Sequence, residues 1–314
     1  MNTMTVSVSP HIRSERTTQN LMLDVIIALI PALIASVIIY GFRALLLTCV
    51  SAAACVLCEY AWEKLMHKEI TVSDLSAVVT GILLAYNVPV GMPIWQLIVG
   101  DVAAIIAAKM LFGGIGCNFM NPALVGRVVL MFSFPTTITS YAVPKVANAI
   151  VSSADAVSTA TPLALMSELD WGDFMPLFLG AHGGVIGEVS FVAILVGAIY
   201  LIARKVIKPI IPAAFLGSLV LFSWIFGASQ PVLSVFAGGA ALGAVFMATD
   251  YVTCPYTDLG KLIFGLGCGF ITAAIRVFGN YAEGVTFAIL LMNILVPYIN
   301  DLTMTKPLGG TAEK

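Results

Sequence analysis

Asp155-Ala156-Val157-Ser158-Thr159-Ala160-Thr161-Pro162 places three hydroxyls within four residues, behind a carboxylate and among small side chains. An acceptor for a modifying enzyme needs an exposed nucleophilic oxygen, small neighbours and an extended backbone. Pro162 disfavours helix at Thr161 and so supplies the last of these. The same composition suits a solvated loop capping the apolar run Leu163 to Met166, because Asp, Ser and Thr favour helix N-caps. Local composition leaves both readings open.

Carboxylates form the second group. Asp24, Glu59, Asp74, Asp101, Glu188 and Asp250 fall inside apolar stretches or at their ends. A carboxylate at membrane depth is costly and usually faces protein or water. Asp101 is the deepest, Glu188 follows a glycine-rich run, and Asp250 follows Phe246-Met247-Ala248-Thr249. Asp101, Glu188 and Asp250 are the candidates for an ion path at graded depths. Asp24, Glu59 and Asp74 are equally well explained as interfacial residues, helix caps or partners of basic side chains.

The run from Lys109 to Arg127 is the densest motif, with Gly113, Gly114, Asn118 and Asn121 between its two cations. Its glycines permit positive φ and close backbone approach. Asn121-Pro122 reads as a helix start, with Asn as cap and Pro in the first turn. Such a turn beside a helix N-terminus suits an anionic or planar polar ligand, a flavin or a phosphate among them. It equally suits a tight interhelical turn. The CxxC of Cys55 and Cys58 lacks a second pair and reads as packing. His11, His67 and His182 are too dispersed for a metal site, no metal is expected, and no HExxH, GxSxG, Walker or Rossmann pattern occurs.

The elements that position these residues are membrane helices. The 314-residue chain is 60% hydrophobic and 10% charged, with mean hydropathy +1.01, against about 25% charged in soluble domains. Net charge is −2 with no basic run, so nucleic acid is not a partner. The segment after the polar opening is a full span rather than a short signal region, so no cleavage is expected. Ten candidate spans run over 21–40, 44–62, 74–88, 94–111, 121–134, 184–203, 210–226, 232–248, 261–278 and 284–299. The expectation is an all-α integral membrane protein of about ten transmembrane helices. With the N-terminus in the cytoplasm, twelve Lys and Arg lie inside or at the inner edge and three (Arg43, Lys145, Arg276) outside, a positive-inside pattern. The chain then divides into cytoplasmic tails at 1–20 and 300–314, membrane halves at 21–134 and 184–299, and an extracytoplasmic connection at 135–183 that holds Thr161. Trp171 and the run Met175 to Leu179 place part of that connection on the membrane surface.

Thr80 to Pro89, then Lys109, then Phe112-Gly113 is echoed by Phe246 to Pro255, then Arg276, then Phe278-Gly279. Each block occupies the third to fifth of five spans. Five is odd, so the halves point in opposite directions, the inverted-repeat plan of many transporters. Arg276 and Glu283 flank the last outer turn and could pair.

Lys109 to Arg127, Phe246 to Asp258, Arg276 to Glu283 and Asp155 to Pro162 together resemble the RnfD/NqrB membrane subunits of redox-driven ion pumps, over nearly the whole chain. The length resembles RnfD more than the longer NqrB. The resemblance implies FMN attached through its phosphate to Thr161, which closes the Ser158-Thr159-Ala160-Thr161 motif; Thr159 occupies a variable position. It also implies an extracytoplasmic flavin transferase that uses FAD, and in some members a non-covalent riboflavin. The Rnf complex couples electron transfer between ferredoxin and NAD⁺ to Na⁺ or H⁺ movement. The ferredoxin and NAD sites would lie on partner subunits of this translocase, because the chain has no Fe–S cysteine spacing or nucleotide fingerprint. The neighbouring reading is a sodium-pumping NADH:quinone oxidoreductase subunit. A reading of another class is a solute channel or secondary transporter without flavin.

Overall fold

The computed structural model describes residues 17–141, 174–180, 182–188, 190–279 and 284–304. Asp155, Ser158, Thr159, Ala160, Thr161 and Pro162 lie outside the described residues, as do Trp171 and Glu283. Lipid offers backbone groups no hydrogen bonds, so an apolar chain satisfies them by forming helices. No strand occurs among the described residues.

The helices are α1 (Thr18–Tyr40), α2 (Phe42–Leu65), α3 (Ser76–Tyr86), α4 (Ile94–Val102), α5 (Pro122–Ser133), α6 (Pro135–Ile138), α7 (Phe174–Leu179), α8 (Phe191–Ala203), α9 (Ile210–Ile225), α10 (Leu233–Phe236), α11 (Ala240–Leu242), α12 (Asp258–Phe278) and α13 (Val285–Thr303). α4 continues through a π-helical segment, Ala103–Ala107, to Phe112, and α11 through a second, Gly243–Met247. Five helices are long and apolar enough to cross a membrane: α1, α2, Ile94–Phe112, α12 and α13. α3 has 11 residues. At 1.5 Å per residue that is about 16 Å, roughly half of a ~30 Å hydrocarbon core.

Two expected spans are interrupted. The sixth, expected from residue 184, becomes helical only at Phe191. The preceding segment lies against the end of α3: Gly187 N–H donates to Tyr86 O at 2.9 Å and Ile186 N–H to Val88 O at 3.1 Å. A Cβ on Gly187 would sit 2.3 Å from Tyr86 Cβ, so only glycine allows this approach. The eighth, expected over 232–248, is broken into α10, α11 and the second π segment.

Small residues bring the helices together, as they must where lipid removes the hydrophobic drive between helices. A Cβ on Gly81 of α3 would lie 2.7 Å from Ala52 Cα of α2. One on Gly269 of α12 would lie 2.5 Å from Phe215 O of α9. Leu29, Leu84, Leu97, Leu124, Phe215 and Phe264 fill the main core. Ile34, Ile38, Phe42 and Leu57 remain exposed on the outer helix faces. Leu177 of α7 packs with Leu233 and Ala237.

Candidate functional site

Lys109 is buried just beyond the first π segment. Its Nζ donates to Glu59 Oε1 at 2.6 Å and to Ser76 Oγ at 2.6 Å. Ser76 donates in turn to Asp74 Oδ1. Both ends of the ion pair are almost fully covered, so each charge depends on the other. Glu59 and Asp74 therefore have structural partners. Asp24 does as well, bonded by Tyr200 Oη at 2.9 Å and by Arg204 Nε at 3.3 Å.

The Gly/Asn turn follows. Gly113 and Gly114 take φ of 118° and 97°, a region open mainly to glycine. Asn121 caps α5: its Oδ1 accepts from Ala123 N–H at 3.0 Å, with Pro122 in the first turn. Its Nδ2 reaches across to Met247 O at 3.3 Å. When the Asn293 amide of α13 is turned so that both of its ends are satisfied, it accepts from Asn121 N–H at 3.2 Å and donates to Thr253 O at 3.2 Å. Lys109, Asn118, Asn121, Thr249, Asp250 and Tyr251 line the polar wall of a cavity whose other walls include Val79, Leu83 and Phe246. Burial lifts the Asp250 carboxyl above the ordinary carboxylate range, opposed by bonds from Val252 N–H and the Thr253 hydroxyl. Lys109 already bonds Glu59 and Ser76, Asn118 bonds Met120 O and Asn121 bonds Met247 O, which leaves each of the three one donor hydrogen for the polar edge of a planar ring lying along the apolar walls.

Asp101 occupies a separate place. It is fully buried, and its Oδ1 accepts from Ser51 Oγ at 2.5 Å and from Cys55 Sγ at 3.4 Å. Its Oδ2 has no hydrogen-bond partner. Cys55 thus does more than pack.

A third cluster surrounds Glu188, whose two carboxylate oxygens are buried without hydrogen bonds. Among the described residues, Arg127 and Arg276 are the charges that act on it. Arg127 Nη1 donates to Asn87 Oδ1 at 2.6 Å. Arg276 donates to Ser234 O at 2.6 Å and to Ala237 O at 3.1 Å. Tyr40 Oη bonds both Gly184 O and Gly184 N–H at 3.0 Å, pinning the segment that carries Glu188.

The structure thus divides the predicted residues. Lys109, Asn118, Asn121 and Asp250 share one cavity, Gly113 and Gly114 shape the turn beside it, and Asp101 and Glu188 lie elsewhere. Arg127 does not line the cavity. Nor is it an edge residue: it is 3% exposed and stands inside α5. The pairing of Arg276 with Glu283 falls outside the described residues. Sequence reasoning missed Asn87, Ser51 and Asn293. Asn87 carried a signal, since Pro89 two residues later marks the end of a helix inside an apolar run.

Residues 5–309 match the model of the NQR2, RnfD, RnfE family. The chain is 43% identical to the D-type component of the Na⁺-translocating ferredoxin:NAD⁺ oxidoreductase complex of Acetobacterium woodii, covering 99% of this chain and 97% of that one. It is 38% identical to the D-type component of the proton-translocating ferredoxin:NAD⁺ oxidoreductase complex of Clostridium ljungdahlii, covering 98% and 97%. It is 36% identical to the D-type component of the ion-translocating oxidoreductase complex of Actinobacillus succinogenes, covering 96% of each chain.

Proposed function

The chain belongs to the NQR2, RnfD, RnfE family, and from that premise we propose that it is the D-type membrane subunit of an ion-translocating ferredoxin:NAD⁺ oxidoreductase complex. The observation that carries this reading is the end-to-end similarity to subunits so named. The relatives differ in the ion their names give, Na⁺ in one and the proton in the other. Family membership therefore does not choose the ion.

In this reading FMN is joined through its phosphate to Thr161 by an extracytoplasmic transferase. A flavin supplies the electron chemistry when bound, and the protein supplies position and electrostatics. The cavity beside Lys109, Asn118 and Asn121 is our candidate for a second, non-covalent flavin, riboflavin. There the two amides and the ammonium would orient the polar edge, while Val79, Leu83 and Phe246 would cover the ring faces. Asp101, Glu188 and Asp250 are the carboxylates through which Na⁺ or H⁺ would pass. Other subunits of the complex would hold the ferredoxin and NAD sites.

Ten crossings in two inverted five-helix repeats fit the order of elements. The third element of each half is short or broken, and Lys109 and Arg276 fall near the ends of the corresponding helices Ile94–Phe112 and α12. α2 packs on α4 as α9 packs on α12, and α4 on α5 as α12 on α13. The loop cations support the cytoplasmic placement of the Lys109 end. Leaving out the buried Lys109 and Arg127 and the half-buried Arg276 reduces the two sides to ten against two.

In-gel flavin fluorescence under denaturing conditions tests the cofactor reading. Protein made with an active flavin transferase should give a fluorescent band near 33 kDa. Thr161→Ala should abolish the band and Thr159→Ala should keep it. A dark wild-type band, with the transferase active on another substrate, would turn the reading toward a flavin-free channel or transporter.

A further inference from the structure

Two broken helices meet deep in the molecule. α3 ends at Asn87, whose Nδ2 donates back to Leu83 O at 2.7 Å and to Met247 Sδ at 3.6 Å. Met247 is the last residue of the second π segment. The carboxyl ends of both elements therefore converge on one point. Helix carboxyl ends carry partial negative charge, and broken-helix transporters use such ends to hold cations. Here a protein cation is supplied instead. Arg127 Nη1 donates to Asn87 Oδ1 at 2.6 Å, and the side chain is buried.

The surroundings give this guanidinium a place on a route. The cavity beside Lys109 and Asp250 reaches Leu83, Phe246 and Asn121, and Leu83 is one helical turn before Asn87. On the other side stands Glu188. Arg127 and Glu188 approach the same backbone: a Cβ on Gly239 would lie 3.7 Å from Glu188 Oε2 and 3.8 Å from Arg127 Nη1. Arg127 and Asn87 thus stand between a cavity holding one carboxylate and a buried cluster holding another. Among the described residues Glu188 is acted on by two arginines, Arg127 and Arg276, and Arg127 stands on its cavity side. Arginine keeps its proton at any working pH. A fixed positive charge across a narrow passage repels cations and protons alike.

We propose that Arg127, held by Asn87 where the two broken helices meet, is the electrostatic barrier that seals this chain against passive cation leak between the Asp250 cavity and the Glu188 cluster. The proposal rests on the reading that ions cross through this chain. It adds a role that ion coupling requires: a pump must not discharge its own gradient when no electrons flow.

The test uses the whole complex in sealed liposomes without electron donor. A Na⁺ or pH gradient is imposed and its collapse followed with an ion-sensitive dye. Arg127→Gln should speed the collapse at least about tenfold, which is ~1.4 kcal/mol of barrier. Arg127→Lys, which keeps a charge at this position, should stay close to wild type. Should Arg127→Gln fail to assemble, Arg127→Met removes the same charge on a side chain of similar length, and the same leak is expected. An assembled neutral variant as tight as wild type overturns the barrier. Donor-driven transport by the wild-type complex in the same vesicles is a separate readout. Its absence would remove the pump reading, whereas the leak comparison uses no donor and no flavin.

Discussion

Asp101 has one carboxylate oxygen engaged by Ser51 and Cys55 and one with no partner. A buried acceptor left open is expensive and is the atom most available to a passing ion or proton. Asp101→Asn keeps the shape and removes the charge. Electron transfer from donor to acceptor should survive, while ions moved per electron should fall about tenfold, as expected where the buried charge of a transport site is lost. Both quantities can be followed together in vesicles containing the complex. Unchanged coupling in both Asp101→Asn and Glu188→Gln would remove these carboxylates from the path. Such single residues were legible in the sequence as charges in apolar surroundings. Their partners were not, because Ser51 and Asp101 are 50 residues apart and Asn87 and Arg127 are 40 apart. The Asn121 cap was legible because its partners, Ala123 and Leu124, are its own neighbours.

Helices α9 and α12 lie nearly backbone to backbone, and glycine sets their spacing. Gly265 and Gly269, four residues apart, face Ile211 O, Ala214 and Phe215 O. Gly269→Val would force its side chain into Ser218 and Phe215. It should destabilise the protein by about 1–3 kcal/mol, the usual range for overpacking. Gly217 of α9 is the control, since a Cβ there meets nothing within 4 Å, and Gly217→Val should be close to neutral. Thermal unfolding of the detergent-solubilised complex reads both, and equal losses would refute the packing argument. At this scale the sequence was legible where a helix is long. It was less legible where a helix breaks, because an apolar run shows the same hydrophobicity through a helix and through a break. The sixth span was expected from residue 184, yet the helix begins at Phe191 because Gly187 lets the chain pass against Tyr86 instead.

For the whole molecule the question is how many times the chain crosses. Length and apolarity single out five helices, yet α3, α5, α8 and α9 are also apolar. A short helix spans lipid only when the chain beyond it is covered by protein. That condition is met at α3, whose following turn is hydrogen-bonded to the segment 186–187, and at the second π segment, whose Met247 carbonyl is taken by Asn121. The two counts make opposite predictions. Five crossings put the residues before α1 and after α13 on opposite sides of the membrane; ten put them on the same side. Single cysteines introduced at Asn20 and Leu302, both exposed, in a background with the six native cysteines replaced, should therefore react with an impermeant thiol reagent from the same face. The face is the cytoplasmic one if Arg204, Lys205 and Lys208 mark the inner loops as the positive-inside pattern requires. Labelling from opposite faces would mean an odd number of crossings, the five long helices with or without shorter ones. Two inverted repeats of five crossings each would then be excluded.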